Sequence, residues 1–166
     1  MAQIEKSVEV DVPVSVTYNQ WTQFEDFPRF MEGVKEVKQL DDKRLRWRAE
    51  VAGKDVEWLA EITSQEPDRR IGWKSIGGAM NSGVVLFEPL GPSKTRVTLN
   101  LQYEPEGAVE NTGSALGVVS ARVGGDLKRF KEFIEERGRA TGGWRGEIHG
   151  SEVRKSDTGA REAGAS

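Results

Sequence analysis

The stretch RLRWRAEVAGKDVEWLAEI, residues 44–62, decides the fold. Polar and apolar residues alternate on both sides of Ala52–Gly53, which is the pattern of two half-buried strands. A two-residue turn at Ala52–Gly53 places Trp47 opposite Trp58 on one face of the resulting hairpin. The stretch therefore predicts two antiparallel strands with a tryptophan pair on the buried side.

Charged residues on the other face of this hairpin support the same register. The turn that pairs the two tryptophans also sets Arg48 opposite Glu57 and Arg44 opposite Glu61. Opposite charges across neighbouring strands stabilise a sheet. Two independent patterns thus predict one register, with the charged face toward water.

The same alternation recurs before and after the hairpin. The predicted strands are residues 3–12, 34–40, 44–51, 55–62, 69–76, 81–89 and 95–103. Short turns join most consecutive strands, so the sheet is expected to be mainly antiparallel. One face of this sheet is apolar and needs a cover.

Helical segments supply that cover. Residues 14–24 and 25–34 are predicted to form two short helices after the first strand, the second interrupted by Pro28. A longer helix is predicted over residues 116–137, because apolar residues recur there at spacings of three and four. This stripe is Leu116, Val119, Val123, Leu127, Phe130 and Ile134. We therefore predict an α+β fold in which a curved seven-stranded antiparallel sheet wraps around the long C-terminal helix.

Composition divides the chain into one domain and a tail. A chain of 166 residues fits a single domain, which we place at residues 1–139. Residues 140–166 are rich in glycine, alanine, serine and balanced charge, and we predict that most of them are disordered. Trp144 is the exception, because a lone tryptophan among glycines either docks onto the domain or a partner, or stays in a frayed tail.

Several classes of function are excluded by residue counts. The chain has no cysteine and a single histidine, His149, so thiolate sites and multi-histidine metal sites are excluded. A net charge of -3 and a pI near 5.4 argue against binding to nucleic acid. No apolar run approaches the roughly 20 residues of a membrane span, and the first residues lack a signal sequence. We expect a cytoplasmic domain without a metal or cofactor.

The inner face of the predicted sheet mixes very large with very small residues. Trp47, Trp58 and Trp73 stand beside Ala49 and Gly83. Bulky side chains next to small ones predict a cavity between the sheet and the long helix. Ligand pockets are usually apolar with a few polar groups. The polar residues expected inside are Ser75, Asn81 and Tyr103.

Three stretches carry a resemblance to a known family. They are IEKSVEVDVPVSVTYNQWTQFEDFPRFMEGVKEV (4–37), WKSIGGAMNSGVVLFEPL (73–90) and TRVTLNLQYEPEG (95–107). Together with the order of elements, they resemble the START-like superfamily (SRPBCC), within it the polyketide cyclase/dehydrase and coenzyme Q-binding group. The resemblance spans roughly residues 3–138 and rests on aromatic and glycine positions rather than on a catalytic signature.

The resemblance implies a helix-grip fold whose cavity takes lipids, polyketides, quinones or similar hydrophobic molecules. It also implies that the short helices and residues 107–117, before the long helix, edge the cavity mouth. From the resemblance and the strand pattern together, we predict the ligand-binding residues. They are Phe27, Phe30, Met31, Trp47, Trp58, Trp73, Asn81, Val85, Phe87, Leu101, Tyr103, Val119 and Val123.

Catalysis needs an acid or base beside the reacting atoms, and the strand pattern offers none. The strand carboxylates Glu50, Glu57, Glu61 and Glu88 are all predicted on the outer face. The first hypothesis is therefore a non-enzymatic carrier or sensor of a hydrophobic small molecule. The second is a polyketide cyclase/dehydratase in which Tyr103 or Asn81 polarises a carbonyl. These two residues are the candidates for catalysis.

A third hypothesis is an interaction module. The outward row Arg44, Arg46 and Arg48 is a candidate for peripheral contact with an anionic membrane, and Trp144 for contact with a partner. The alternative for the arginines is a solvated sheet face paired with glutamates.

Overall fold

A computed structural model describes residues 2–51, 53–103, 113–154 and 162–163 of the chain. Two helical segments follow the first strand, and a long helix follows the seventh. The elements, in chain order, are β1 (Ala2–Val10), α1 (Val14–Trp21), a 3₁₀ helix (Phe24–Arg29), β2 (Val34–Gln39), β3 (Arg44–Val51), β4 (Lys54–Glu66), β5 (Arg70–Gly78), β6 (Asn81–Gly91), β7 (Lys94–Tyr103), α2 (Gly113–Arg137), β8 (Gly142–Gly143), β9 (Glu147–His149), β10 (Glu152–Arg154) and β11 (Glu162–Ala163).

The long strands form one antiparallel sheet in the order β1-β7-β6-β5-β4-β3-β2. This confirms the predicted α+β helix-grip architecture. Two short strands extend the sheet beyond the predicted seven, because β9 pairs with the end of β4 and β10 pairs with β9. The remaining short strands, β8 and β11, pair with each other.

The β3–β4 hairpin has the predicted register from Arg44 opposite Glu61 to Val51 opposite Lys54. The rings of Trp47 and Trp58 stack with their centroids 5.4 Å apart and their planes 11° apart. The register agrees because period-two alternation and charge pairing act locally, within a single hairpin.

Helix α2 packs its apolar stripe against the sheet. Leu127 is 2% exposed, and Phe130 and Ile134 are fully buried. The Phe130 ring meets Trp21 at 4.8 Å and Phe30 at 5.2 Å. The half of the space between sheet and helix near Phe130 is therefore filled by aromatic rings.

The C-terminal segment departs from the predicted tail over residues 140–154. Trp144 is 3% exposed and Ile148 is fully buried, and residues 64–65 of β4 pair with residues 148–149 of β9. The reason lies in strand length, since β3 pairs with β4 only as far as Glu61. The last residues of β4 have an open edge on that side, and β9 covers it. Residues 155–161 and 164–166 lie outside the described residues.

Polar contacts fix this segment to α1 and to the turn after β4. The Thr141 amide donates to Gln20 Oε1 at 2.8 Å, and the Trp144 amide donates to Thr22 Oγ1 at 3.1 Å. Arg145 pairs with Asp68 at 2.8 Å and lies over the Tyr18 ring. Residues 141–145 are thus an integral part of the folded domain.

Candidate ligand cavity

A cavity of about 290 Å³ lies between the inner face of the sheet, α2 and the segment that follows the 3₁₀ helix. Its lining is mostly apolar. Leu45, Ile62 and Ile71 from the sheet and Leu127 from α2 contribute to it. The cavity occupies the half of the interface that the aromatic rings around Phe130 leave unfilled.

Most residues predicted from the sequence to contact a ligand line this cavity. They are Phe27, Met31, Trp47, Trp58, Trp73, Asn81, Val85, Leu101, Tyr103, Val119 and Val123. The cavity thus brings together side chains from the 3₁₀ helix, five strands and α2. Contact of these residues with a ligand stays a prediction.

Phe30 and Phe87 do not line the cavity. Phe30 is 3% exposed and packs its ring 5.2 Å from Phe130, in the filled half of the core. Phe87 is 5% exposed and packs 5.3 Å from the Tyr18 ring. Both side chains point into the core, but Phe30, directly after the 3₁₀ helix, and Phe87, on β6, pack in its filled part.

The aromatic wall of the cavity depends on close packing around two strands. The Phe27 ring lies 5.5 Å from Trp47, which stacks on Trp58. Across the sheet, Trp73 lies over Gly83, where a methyl group would stand only 2.7 Å from the indole ring. Glycine at this position therefore allows Trp73 to lie flat against β6.

The two sequence-predicted candidates for catalysis have different surroundings. Asn81 Oδ1 accepts a hydrogen bond from Trp73 Nε1 at 3.0 Å, and its Nδ2 donates to the Ala79 carbonyl at 3.3 Å. Its amide is therefore engaged within the β5–β6 hairpin. The Tyr103 hydroxyl has no hydrogen-bond partner in the described part of the chain, and burial raises its pKa. Tyr103 is thus a neutral hydroxyl at physiological pH.

A charged corner of the cavity, formed by Glu32, Arg122 and Asp126, with Arg129 paired to both carboxylates, was not predicted from the sequence. Asp126 Oδ1 accepts hydrogen bonds from the Glu32 amide at 3.1 Å and from Arg129 Nη2 at 2.5 Å. Arg122 Nη1 donates to the Glu32 and Glu50 carbonyls at 3.0 and 3.2 Å. These contacts tie helix α2 to residues 30–33 and to the end of β3.

Gly33 makes this connection possible. Its φ of +92° lies in the left-handed region that favours glycine. A side-chain carbon at this position would also overlap the Arg122 guanidinium. The backbone can therefore approach α2 closely enough for both carbonyl contacts of Arg122.

Burial raises the pKa of Asp126 from its ordinary 3.8 to about 6, although the hydrogen bond and positive charge of Arg129 oppose the rise. The side chain is only 15% exposed. Apolar surroundings disfavour the charged form of a carboxyl group, which accounts for the direction. Asp126 is thus an ionisable group in the cavity wall that titrates near neutral pH.

Sequence inspection of the strands alone missed Asp126 because this residue lies on the helix. A usable signal was present: Asp126 follows Val123 by three residues and Val119 by seven, so it flanks the apolar stripe. Glu50, assigned to the outer face, also contributes to the cavity edge, where its carbonyl accepts from Arg122. Of the predicted mouth residues 107–117, residues 107–112 lie outside the described residues.

We predict that the raised pKa of Asp126 makes the folded protein less stable as the pH rises from about 4 to about 6. In this window the folded protein holds a proton that the unfolded chain has released, so folding is favoured at the lower pH. The stabilisation that this bound proton gives the folded protein is complete below pH 4 and is lost as the pH rises through 6. It amounts to about 3 kcal/mol at most. Urea unfolding of the wild type and Asp126→Asn across this window measures it as the difference between the two proteins.

The comparison with Asp126→Asn is needed because other carboxyl groups make the folded protein more stable, not less, as the pH rises. Lysine or arginine partners lower the pKa of Glu9, Asp55 and Glu135. A wild-type-minus-Asn difference that does not change with pH would contradict the assignment to Asp126.

On the outer face of the sheet, two of the three arginines of the predicted row form ion pairs. Arg44 pairs with Asp41 at 2.7 Å and Arg48 with Glu36 at 3.5 Å. Within the described ranges, no helix is long and apolar enough to cross a membrane. Peripheral membrane contact through this row stays a prediction.

An antiparallel sheet that grips one long helix and leaves a hydrophobic cavity beside it defines the helix-grip class of START-like proteins. A structural relative from Mycobacterium smegmatis, described as a START superfamily protein, has a TM-score of 0.66 and 20% identity over 81% of this chain and 95% of its own. The aromatase/cyclase Zhui from Streptomyces sp. R1128 has a TM-score of 0.70 and 18% identity. The match covers 86% of this chain and 98% of Zhui. At these identities the likeness concerns the fold alone.

The chain belongs to the family described as polyketide cyclase / dehydrase and lipid transport, whose model matches residues 10–132. A Streptomyces lincolnensis protein of 17.2 kDa, encoded in the melC2-rnhH intergenic region, is 48% identical over 89% of this chain and 99% of its own length. A Deinococcus radiodurans protein of known crystal structure is 33% identical to this chain, with a TM-score of 0.66. The match covers 82% of this chain and 99% of that protein. The family confirms the resemblance found in the sequence.

Proposed function

We propose that the protein is a carrier or sensor that binds a hydrophobic small molecule between its sheet and helix α2. The observation that carries this proposal is the apolar cavity of about 290 Å³. A well-packed core has few voids larger than a water molecule, and this cavity is close to the range of about 300–1,000 Å³ typical of ligand sites. The family match supports a hydrophobic ligand, and the lipid, quinone or polyketide class is the finer part of the proposal.

The chemistry of the lining supports binding by burial and stacking. Trp47, Trp58 and Trp73 present large aromatic surfaces, and fully burying a side-chain-sized apolar group contributes about 1.5–3 kcal/mol. A flat or extended apolar molecule gains most from such walls.

Native mass spectrometry of the protein purified from its own host tests the proposal. We expect a bound mass that organic extraction releases as a lipid, quinone or polyketide. The released compound should rebind the stripped protein with a one-to-one stoichiometry. An unliganded mass, together with no binding of any hydrophobic probe, would contradict the carrier hypothesis.

A second candidate function is a polyketide cyclase/dehydratase. Asp126 favours it, because an ionisable group in the cavity wall is what acid–base catalysis requires and the strands do not supply. Turnover of a poly-ketone chain should then fall in Tyr103→Phe and in Asp126→Asn. An unchanged product profile in both variants argues against this candidate and leaves the carrier proposal in place.

A further inference from the structure

We propose that Asp126 makes the cavity selective for ligands that present a hydroxyl group, phenolic, enolic or aliphatic, beside helix α2. This inference rests on the proposed ligand-binding function and adds the chemical class of the ligand. The evidence comes from the position of the Asp126 carboxyl group, its hydrogen bonds and its neighbours.

Asp126 is the less exposed of the two carboxylates in the charged corner. Its side chain is 15% exposed, whereas that of Glu32, the other carboxylate of the charged corner, is 69% exposed. The side chains that surround Asp126 in the cavity are Val119, Val123 and Leu127 from its own helix. A ligand at this side of the cavity therefore meets the Asp126 carboxyl group next to apolar side chains of α2.

The hydrogen bonds of Asp126 leave one oxygen available. Both contacts, from the Glu32 amide and from Arg129 Nη2, end on Oδ1. Across residues 3–50, 53–103 and 119–154, no hydrogen bond to Oδ2 is found. The two contacts on Oδ1 fix the orientation of the carboxyl group, so the free oxygen is held in place before a ligand arrives.

A carboxylate oxygen accepts hydrogen bonds and cannot donate them when ionised. A ligand hydroxyl that donates to Oδ2 gains a charge-assisted hydrogen bond. A ketone or ether oxygen at the same place meets a second acceptor and is disfavoured. Donor-bearing ligands therefore bind more tightly than equally large ligands without a donor.

The charged groups beside Asp126 and in the cavity lining are three cations and two further carboxylates. Arg122 and Arg129 come from α2, Glu32 from the segment after the 3₁₀ helix, Glu50 from β3 and Lys54 from β4. Two hydrogen bonds from Arg122 go to backbone carbonyls, and Arg129 is bonded to Asp126 itself. Since Asp126 titrates near pH 6, its preference for a donor should weaken when the pH falls below that value.

A pair of probes with the same ring system tests the inference. 2-Naphthol carries a hydroxyl group, and 2-methoxynaphthalene replaces its hydrogen with a methyl group. Quenching of tryptophan fluorescence at pH 7.5 gives the dissociation constant of each. We expect 2-naphthol to bind the wild-type protein about tenfold more tightly, and this ratio to fall toward one in Asp126→Ala and in the wild type at pH 5.

Glu136→Gln is the matched control, because it removes an exposed carboxylate of the same helix that does not line the cavity, and it should keep the tenfold ratio. Equal affinities of the two probes for the wild type overturn the inference while leaving the proposed function standing. Failure of both probes to bind contradicts both. The wild-type pH series is decisive even if Asp126→Ala does not fold, since a ratio that is the same at pH 7.5 and pH 5 also overturns the role of Asp126.

Discussion

Ala49→Phe is expected to weaken the binding of a hydrophobic probe at least about 100-fold. Ala49 lies on β3, is 4% exposed and lines the cavity. A phenyl group at this position occupies the space of the ligand, and the lost burial of about 3 kcal/mol corresponds to two orders of magnitude in affinity. Titration with 2-naphthol, followed by tryptophan fluorescence, measures the change.

The control for this variant is Leu59→Phe. Leu59 lies on β4, opposite Arg46 of β3, and its side chain faces outward, with 36% of the residue exposed. This substitution adds bulk to the outer face without touching the cavity. The Leu59→Phe variant should therefore bind 2-naphthol with the same affinity as the wild type. A correctly folded Ala49→Phe variant that binds as well as the wild type would place the ligand elsewhere on the protein.

Trp144→Ala is expected to lower the free energy of unfolding by about 3–5 kcal/mol, the range found for removing a large buried aromatic side chain. Trp144 is 3% exposed and belongs to the main hydrophobic core with Ile148. Its loss also weakens the packing that holds residues 140–154 against β4. Urea denaturation gives the free energy of unfolding directly.

Arg154→Ala is the control within the same segment, because the Arg154 side chain is 70% exposed and pairs with Glu152. Its stability should differ from the wild type by less than about 0.5 kcal/mol. If Trp144→Ala proves as stable as this control, residues 140–154 do not contribute to the core. The disordered tail predicted from composition would then describe this segment correctly. The buried position of Trp144 also argues against its direct use as a contact for a partner.

The strands and the long helix followed from local patterns. Residues whose side chains alternate or recur every three to four positions define a face by themselves, so the β3–β4 register and the stripe ending at Phe130 and Ile134 needed no tertiary information. The inward direction of Trp47, Trp58 and Trp73 followed from the same periodicity.

The position of a side chain along the sheet was not predictable in this way. Periodicity gives the face but not the depth, so Phe87 was grouped with Val85 although only Val85 reaches the unfilled space. The role of Asp126 was hidden for a related reason. How helix α2 is rotated and shifted over the sheet decides whether a residue beside the stripe meets solvent or the cavity.

The sequence by itself determined the α+β class, the antiparallel sheet, the hairpin register and the aromatic character of the inner face, because each depends on neighbours a few residues apart. Only the tertiary structure decided where the space between sheet and helix stays open, which charged residues border it, and where residues 140–154 go. These depend on contacts between distant segments. The open edge of β4 beyond Glu61 recruits a glycine-rich segment that has no pattern of its own.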